Sequence, residues 1–311
     1  MVGQSDLPFR LLCRRYGADV CYTEMIYSKK FSECQIYRNS ALQTSEKDRP
    51  LIVQFCANDP GVLVAAGVKA QSECAAIDLN LGCPQQRAQE GRYGAYLLEK
   101  KDWPLVFSMV YAAATHLEVP IFCKIRLCNR LKDTLDFARG LQNAGCSVLA
   151  VHGRKRGSKK MRRCGPADLQ AIKAVRDAVD IPVISNGNIQ EQGDIQKCLS
   201  ATKADGVMSA EGILKNPGIF SQDEIRLGDL ALEYLTLCSE VECPPPLPCI
   251  RQHLSWMLGK TGHGRSVRYK YLGCYQKHKN LNDALLQATN LSDFQIIVED
   301  CLQAKNSNNS P

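Results

Sequence analysis

Residues 120–153 read PIFCKIRLCNRLKDTLDFARGLQNAGCSVLAVHG, and this stretch decides the fold. A short apolar run at 120–124 is followed by an amphipathic segment of helical length at 132–144, then by Gly145 and a second apolar run at 147–152. Strand, helix, breaker and strand in that order make a βα repeat, in which a covering helix joins two parallel strands. Working outward, the same alternation recurs. Further apolar runs stand at 18–24, 50–54, 75–79, 182–186 and 206–209, with a stub at 1–2, and helical segments at 6–16, 60–74, 103–117, 167–179 and 191–199. Eight strands within residues 1–221 predict an α/β chain with a TIM (β/α)8 barrel whose first strand is truncated. A doubly wound sheet is the alternative arrangement.

After Phe220 the strand-like runs stop, a proline stretch at 244–246 interrupts the chain, and apolar residues recur at helical spacing. Residues 222–303 are therefore expected to form a small all-helical domain, and the polar residues 304–311 a disordered tail. The composition, 45% apolar and 23% charged over 311 residues, is that of an ordinary globular protein with a substantial core and excludes a fibrous chain. No apolar run reaches the roughly 18 to 20 residues needed to cross a bilayer, and no signal-peptide succession opens the chain. The expectation is a cytoplasmic monomer that does not engage a membrane. Sixteen cysteines are scattered without a CxxC pair, which reads as reduced thiols. Most, such as Cys13, Cys123 and Cys146, would serve as small hydrophobes.

A formal charge of +7 permits many partners, but its distribution is informative. Seven Lys or Arg and no acid fall between Arg154 and Arg163, and seven more, with three His and no acid, between Arg251 and Lys279. Two such patches form the footprint of a polyanion, against the plainer reading of two solvated surface segments.

The polar residues that close the strands are Gln54, Asn80 with Cys83, Lys124 with Arg126, His152 with Arg154, Asn186, and Ser209 with Glu211. Barrel active sites lie at the C-terminal strand ends, so these residues converge on one pocket, although any one alone could be a simple strand-end hydrogen bonder. The turns Asn186-Gly187-Asn188 and Ser209-Ala210-Glu211-Gly212 lead into helices, and their backbone amides can cradle a phosphate. Lys124 offers a positive charge suited to an anionic ring edge, or else pairs with Asp78 or Glu24.

The segment NLGCP at 80–84, followed by Gly91, Gly94-Ala95 and Leu97, resembles the signature of the tRNA-dihydrouridine synthase family. So do SDLPFR at 5–10, VQF at 53–55, KIRL at 124–127, HGR at 152–154, NGNI at 186–189 and MSAEG at 208–212. IRQHLSWMLG at 250–259 is similar to the family's RNA-binding annex, and the AEG and NPGIF elements look most like the eukaryotic branch that modifies D-loop uridines 16 and 17.

The resemblance implies bound FMN, NADPH as its reductant and tRNA as partner. It implies hydride delivery to carbon 6 of uracil and protonation of carbon 5 by Cys83. A free thiol with a pKa near ~8.5 is mostly protonated at neutral pH and fits a general acid. By position, Met1 and Val2 would line the cofactor site, Gln54 and Lys124 would contact the isoalloxazine, and His152 the flavin or its phosphate side. Asn186, Gly187, Asn188, Ala210 and Glu211 would hold the phosphate, Asn80 would orient the flipped uracil, and Arg154 would contact substrate.

The chain begins at the Met of the family's Pro-Met-Val turn, so most of the first strand is expected to be absent, with a weakened flavin site. The run Lys155, Lys159, Lys160, Arg162 and Arg163 is more basic than in relatives and suggests an altered RNA contact. Two other readings compete: a non-catalytic tRNA binder or inactive truncated isoform, and an FMN barrel oxidoreductase acting on a free metabolite. Neutralising Lys159, Lys160, Arg162 and Arg163 is expected to weaken tRNA binding. Titrations at several salt concentrations should show the log–log slope falling by about 0.7 to 0.9 per lost phosphate contact.

Overall fold

Seven strands run side by side in chain order, each parallel to the last. They are β1 (Cys21–Tyr27), β2 (Leu51–Cys56), β3 (Ala76–Leu81), β4 (Ile121–Leu127), β5 (Val148–Lys155), β6 (Val183–Asn186) and β7 (Gly206–Met208). The computed structural model describes residues 2–157, 165–259 and 281–306. A doubly wound sheet reverses its strand order at a switch point, whereas here every neighbour is sequential, as in a (β/α)8 barrel. β2 and β3 are buried along their whole length, as expected for parallel strands covered on both faces.

The helices that return the chain, Pro60–Ala70, Trp103–His116, Leu131–Asn143, Leu169–Ala178 and Gly193–Thr202, lie where the periodicity predicts them, with ends shifted by a few residues. Two of the starts are capped by an acidic side chain. Asp59 accepts from the Val62 amide at 2.9 Å and Asp168 from the Ala171 amide at 2.9 Å, and each caps its helix. Val106, Met109, Val110 and Ala113 of one helix and Phe137, Ala138 and Leu141 of the next are fully buried in a common core with the strand residues Leu79, Ile125 and Val151.

The start of the chain departs from expectation. β1 opens at Cys21 instead of residue 18, because residues 16–18 are used to end the helix Leu7–Arg15. Gly17 takes a φ of +92° there, and the Ala18 amide donates to the Cys13 carbonyl at 3.0 Å. Val2 lies in a turn and is 52% exposed, so it adds no strand, and Met1 lies outside the described residues. Two short helices, Ser28–Glu33 and Gln35–Ala41, follow β1 in a stretch too short for helical periodicity to stand out.

Residues Val20–Ala210, with Met1–Val2, form one compact unit, while Gly3–Asp19 and the residues from Glu211 onward form a second. The second unit thus begins at 211 where the sequence suggested 222, and it includes the N-terminal helix. The reason is a buried knot within that unit. Asp6 caps the helix Leu7–Arg15 by accepting from the Phe9 amide at 3.0 Å, and its other oxygen accepts from the Tyr234 hydroxyl at 3.2 Å. That oxygen also lies 2.9 Å from Nε2 of the fully buried His253, a charge contact outside good hydrogen-bond angles. Phe9 stacks on the His253 ring at 4.1 Å.

Tyr234 and His253 come from the helices Leu227–Glu240 and Leu247–Leu258. The helices Leu281–Gln287 and Leu291–Asn306 also belong to the unit, so residues 304–306, expected in a disordered tail, belong to a helix. His253 had been counted in the second basic patch, and burial removes it from that role. Arg251 is engaged internally, donating to the Leu285 carbonyl at 2.6 Å. The patch's other residues, at 260–279, and residues 158–163 of the first patch lie outside the described residues.

Burial pushes the Asp6 carboxyl up, but the contact and charge of His253, the Phe9 amide and the Tyr234 hydroxyl together leave it below its ordinary 3.8. A carboxyl depressed on folding stabilises at pH above its unfolded value, and that stabilisation is lost as pH falls through the folded value. Asp6→Ala is expected to lower the thermal midpoint at neutral pH. The lost cap costs about 1 kcal/mol, and the stranded His253 adds to it. The difference between mutant and parent should shrink below pH 4, which melting curves across pH would detect.

Candidate active site

The register across the sheet sets the site. Gln54 lies opposite Asp78, Asn80 opposite Lys124, Arg126 opposite His152, and His152 opposite Asn186. Polar groups from five neighbouring strands are thereby gathered at the C-terminal ends of β2 to β6.

On one side they form a chain of amides. Gln54 Nε2 donates to Asp78 Oδ2 at 2.8 Å, and Gln54 Oε1 accepts from Asn80 Nδ2 at 2.7 Å. Asn80 Oδ1 then accepts from the Gly82 amide at 3.0 Å and the Cys83 amide at 2.9 Å. Each link fixes the orientation of the next, so the aspartate determines which way the two amide side chains point.

The loop carrying Cys83 is held from other directions as well. Arg126 Nε donates to the Gly82 carbonyl at 2.8 Å, the Ala95 amide to the Cys83 carbonyl at 3.0 Å, and the Tyr96 hydroxyl to the Pro84 carbonyl at 3.2 Å. Gly94 sits against this loop with φ +68°, and a Cβ there would come within 2.8 Å of the Cys83 carbonyl oxygen and 2.9 Å of its Cβ. The thiol is half-buried against Met25, Cys56, Ala88 and Tyr93. Burial pushes the Cys83 thiol up, against the opposing pull of the Gln85 amide, Arg126 and Arg87. The proton is therefore retained at neutral pH.

On the other side the groups are cationic. Lys124 Nζ donates to Asn186 Oδ1 at 2.9 Å, and Asn186 Nδ2 donates to the Met208 carbonyl at 2.8 Å. Burial, with Arg126 adjacent, pulls Lys124 down to about 8, while Asp78 draws it back up. Asp78 is fully buried, which pushes it up to about 7 against the Gln54 hydrogen bond and the Lys124 charge. Its Oδ1 has no hydrogen-bond partner among the described residues.

His152 is driven down to about 2 by burial and by Lys124, Arg126 and Arg154. As a neutral ring its Nε2 accepts from Arg154 Nη1 at 3.1 Å. Arg154 also donates to Asn188 Oδ1 at 2.8 Å and to the Gly165 carbonyl at 2.8 Å. Asn188, at φ +64°, accepts from the Ala167 amide at 3.0 Å. At Gly187, φ +111°, a Cβ would meet Ala167 Cβ at 2.8 Å and His152 Cδ2 at 3.0 Å. The 186–188 turn thus requires glycine and is locked by Arg154.

Of the residues singled out in the sequence, Gln54, Asn80, Cys83, Lys124, His152, Arg154, Asn186, Gly187 and Asn188 come together in the first unit. Ala210 closes that unit, and Glu211 opens the helix Glu211–Lys215 of the second. Asn80 holds the loop through its Oδ1, while its Nδ2 is taken by Gln54. Arg154 braces its own turn. Sequence reasoning assigned no role to Thr23, named Asp78 only as an alternative partner for Lys124, and counted Arg156 only within the first basic patch. The Thr23 hydroxyl accepts from the Gln54 amide at 3.0 Å. A lone acid in the apolar run AIDLNL, two residues before Asn80 and so on the same strand face, was the signal for Asp78.

A cationic cluster of Lys124, Arg126 and Arg154 around the neutral His152 ring, beside a glycine turn, suits an anionic ligand at the strand ends of a parallel barrel. The sequence profile of the dihydrouridine synthase (Dus) family matches residues 1–306, and the chain belongs to that family.

Among its relatives, a tRNA-dihydrouridine(16/17) synthase-like protein of Rattus norvegicus, whose name also specifies NAD(P)(+), is 47% identical over 82% of this chain and 57% of its own length. The tRNA-dihydrouridine(16/17) synthase of Schizosaccharomyces pombe is 41% identical over 82% of this chain and 66% of its own. A tRNA-dihydrouridine(20a/20b) synthase-like protein of Homo sapiens is 36% identical over 84% of this chain and 80% of its own. The chain spans little more than half the length of the rat relative.

Gly94→Ala is expected to force the Cys83 loop outward, since the new methyl has both a positive φ and a backbone carbonyl against it. A destabilisation of more than about 1 kcal/mol should follow, read from the thermal midpoint. Faster alkylation of Cys83, mapped by mass spectrometry, should accompany it.

Proposed function

We propose that this chain reduces the 5,6 double bond of uracil in tRNA, with FMN bound at the strand ends, NADPH as reductant and Cys83 as the general acid. The observation that carries the reading is the immobilised, protonated thiol beside a cationic cradle. The donor set fits FMN. Lys124 and Arg126 match an electron-rich ring edge, and Gln54 offers an amide face. The 186–188 turn, with Arg154 behind it and a glycine whose Cβ would collide with His152, suits a phosphate. Bound there, the reduced flavin supplies the hydride.

The chain's own residues do the rest. Hydride addition at carbon 6 leaves negative charge at carbon 5 and its neighbouring carbonyl, and Cys83 Sγ–H gives its proton to carbon 5, closing the reduction. Asn80 holds the amides of the loop, so the thiol is placed before substrate arrives and little ordering cost remains at the reaction step. Neutral His152 keeps one further positive charge out of the cluster. The rat and fission-yeast relatives carry tRNA-dihydrouridine(16/17) synthase in their names, which favours D-loop uridines 16 and 17 as targets. Extruding the base costs a few kcal/mol, and contacts to the tRNA backbone offset it. The basic residues Lys155, Lys159, Lys160, Arg162 and Arg163 are suited to making them. In the described residues no helix is long and apolar enough to cross a membrane.

Cys83→Ala should keep flavin content and NADPH oxidation by the flavin but lose most dihydrouridine formation, by about a hundredfold or more for a lost general acid. In the parent, uracil reduction followed in single turnovers should stay flat through neutral pH. A raised thiol places the alkaline limb above the ordinary range near ~8.5. Undiminished dihydrouridine formation by the mutant would overturn the assignment.

A further inference from the structure

Arg156 stands just past the end of β5, at the start of the basic run, where a positive side chain invites reading as one more phosphate contact. Its contacts within the first unit point elsewhere. The guanidinium lies over the Tyr96 ring at 4.6 Å, Nη1 donates to the Ala95 carbonyl at 3.3 Å, and Nη2 donates to Glu99 Oε1 at 3.1 Å. All three partners belong to one short stretch, 95–99, that backs the Cys83 loop. From that stretch the Ala95 amide donates to the Cys83 carbonyl at 3.0 Å and the Tyr96 hydroxyl to the Pro84 carbonyl at 3.2 Å. Arg156 therefore grips the two residues of this stretch that bond to the thiol loop. A second link runs in parallel, with Arg126 spanning from the Gly82 carbonyl at 2.8 Å to the Lys155 carbonyl at 3.1 Å.

We propose that Arg156 is a positioning residue for the general acid: stacked on Tyr96 and bonded to Ala95 and Glu99, it clamps the 95–99 stretch and so fixes the Cys83 loop to the end of β5. The inference rests on the reading of Cys83 as the acid, but the clamp itself is a statement about the loop and can be tested apart from activity. A planar guanidinium can stack on a ring while its edge donates to two oxygens, whereas an ammonium can keep the ion pair with Glu99 and lose the rest. Lysine at this position is therefore expected to fail as a clamp although it keeps the charge.

The test compares Arg156→Ala, Arg156→Lys and Tyr96→Phe in the flavin-loaded chain, with Cys83→Ala alongside. The first readout needs no substrate: the rate at which iodoacetamide alkylates Cys83, followed on its peptide by mass spectrometry. Both Arg156 variants should raise that rate, and Tyr96→Phe should raise it less. The second readout is steady-state dihydrouridine formation. Loss of position should lower kcat about tenfold to a hundredfold with little change in the KM for tRNA, while reduction of the flavin by NADPH is unaffected.

A rise in KM with kcat preserved, rescued by lysine, would make Arg156 a phosphate contact and overturn the proposal. Unchanged alkylation in Arg156→Ala would also overturn it. If Cys83→Ala still forms dihydrouridine, the reading of the acid fails. Alkylation alone then decides the clamp, faster supporting it and unchanged refuting it.

Discussion

Two amide hydrogen bonds to one oxygen, from Gly82 and Cys83 to Asn80 Oδ1 at 3.0 and 2.9 Å, hold the loop that carries Cys83. Asn80 can serve there only if its amide faces the right way, and that is settled by Gln54, which in turn is settled by Asp78. Ionised, Asp78 can only accept, and Gln54 presents its NH2 to it and its oxygen to Asn80. Orientation thus passes outward from the barrel interior to the thiol through three side chains on two adjacent strands. The inward position of Asp78 explains why a buried acid is kept in an otherwise apolar strand.

The opposite wall follows a different rule. Lys124, Arg126 and Arg154 crowd one rim, and charge repulsion with burial holds His152 neutral and pulls Lys124 down. Such a cluster is costly in an empty state and becomes favourable when an anion enters. The rigid Gly187-Asn188 turn adds backbone amides whose direction is fixed by Arg154 and Ala167. In the proposed reading one wall places a proton donor and the other would receive a negative group, with little rearrangement of either.

In the second unit the same economy appears for stability instead of chemistry. Asp6 ends up as helix cap, acceptor for Tyr234 and close neighbour of the buried His253 ring at once. This ties a segment from the start of the chain into a helical body made from its end. A histidine and an arginine that look like surface charge in the sequence become internal fasteners.

How much could be read in advance divides along physical lines. Apolar periodicity in 120–153 was enough to predict the βα repeat, because burial of one helix face and both strand faces leaves its imprint residue by residue. Strand-end polarity was enough to gather Gln54, Asn80, Lys124, His152 and Asn186, because parallel strands end on a common rim. The spacing of NLGCP and the glycine turns marked the loops, since close backbone approach leaves no room for a Cβ at Gly94 or Gly187. What sequence alone left undecided involves partners distant in the chain. Asp6 meets His253 far along the chain, Arg156 meets Tyr96, and the amides of Gln54 and Asn80 take their orientation from Asp78. No local pattern encodes which of several acids or cations will face a given side chain, because that depends on strand register and on the packing of one element against another. The sequence determined the elements and the kinds of groups at the strand ends; only the tertiary structure decided which of them touch, and so which charges are raised, lowered or locked in place.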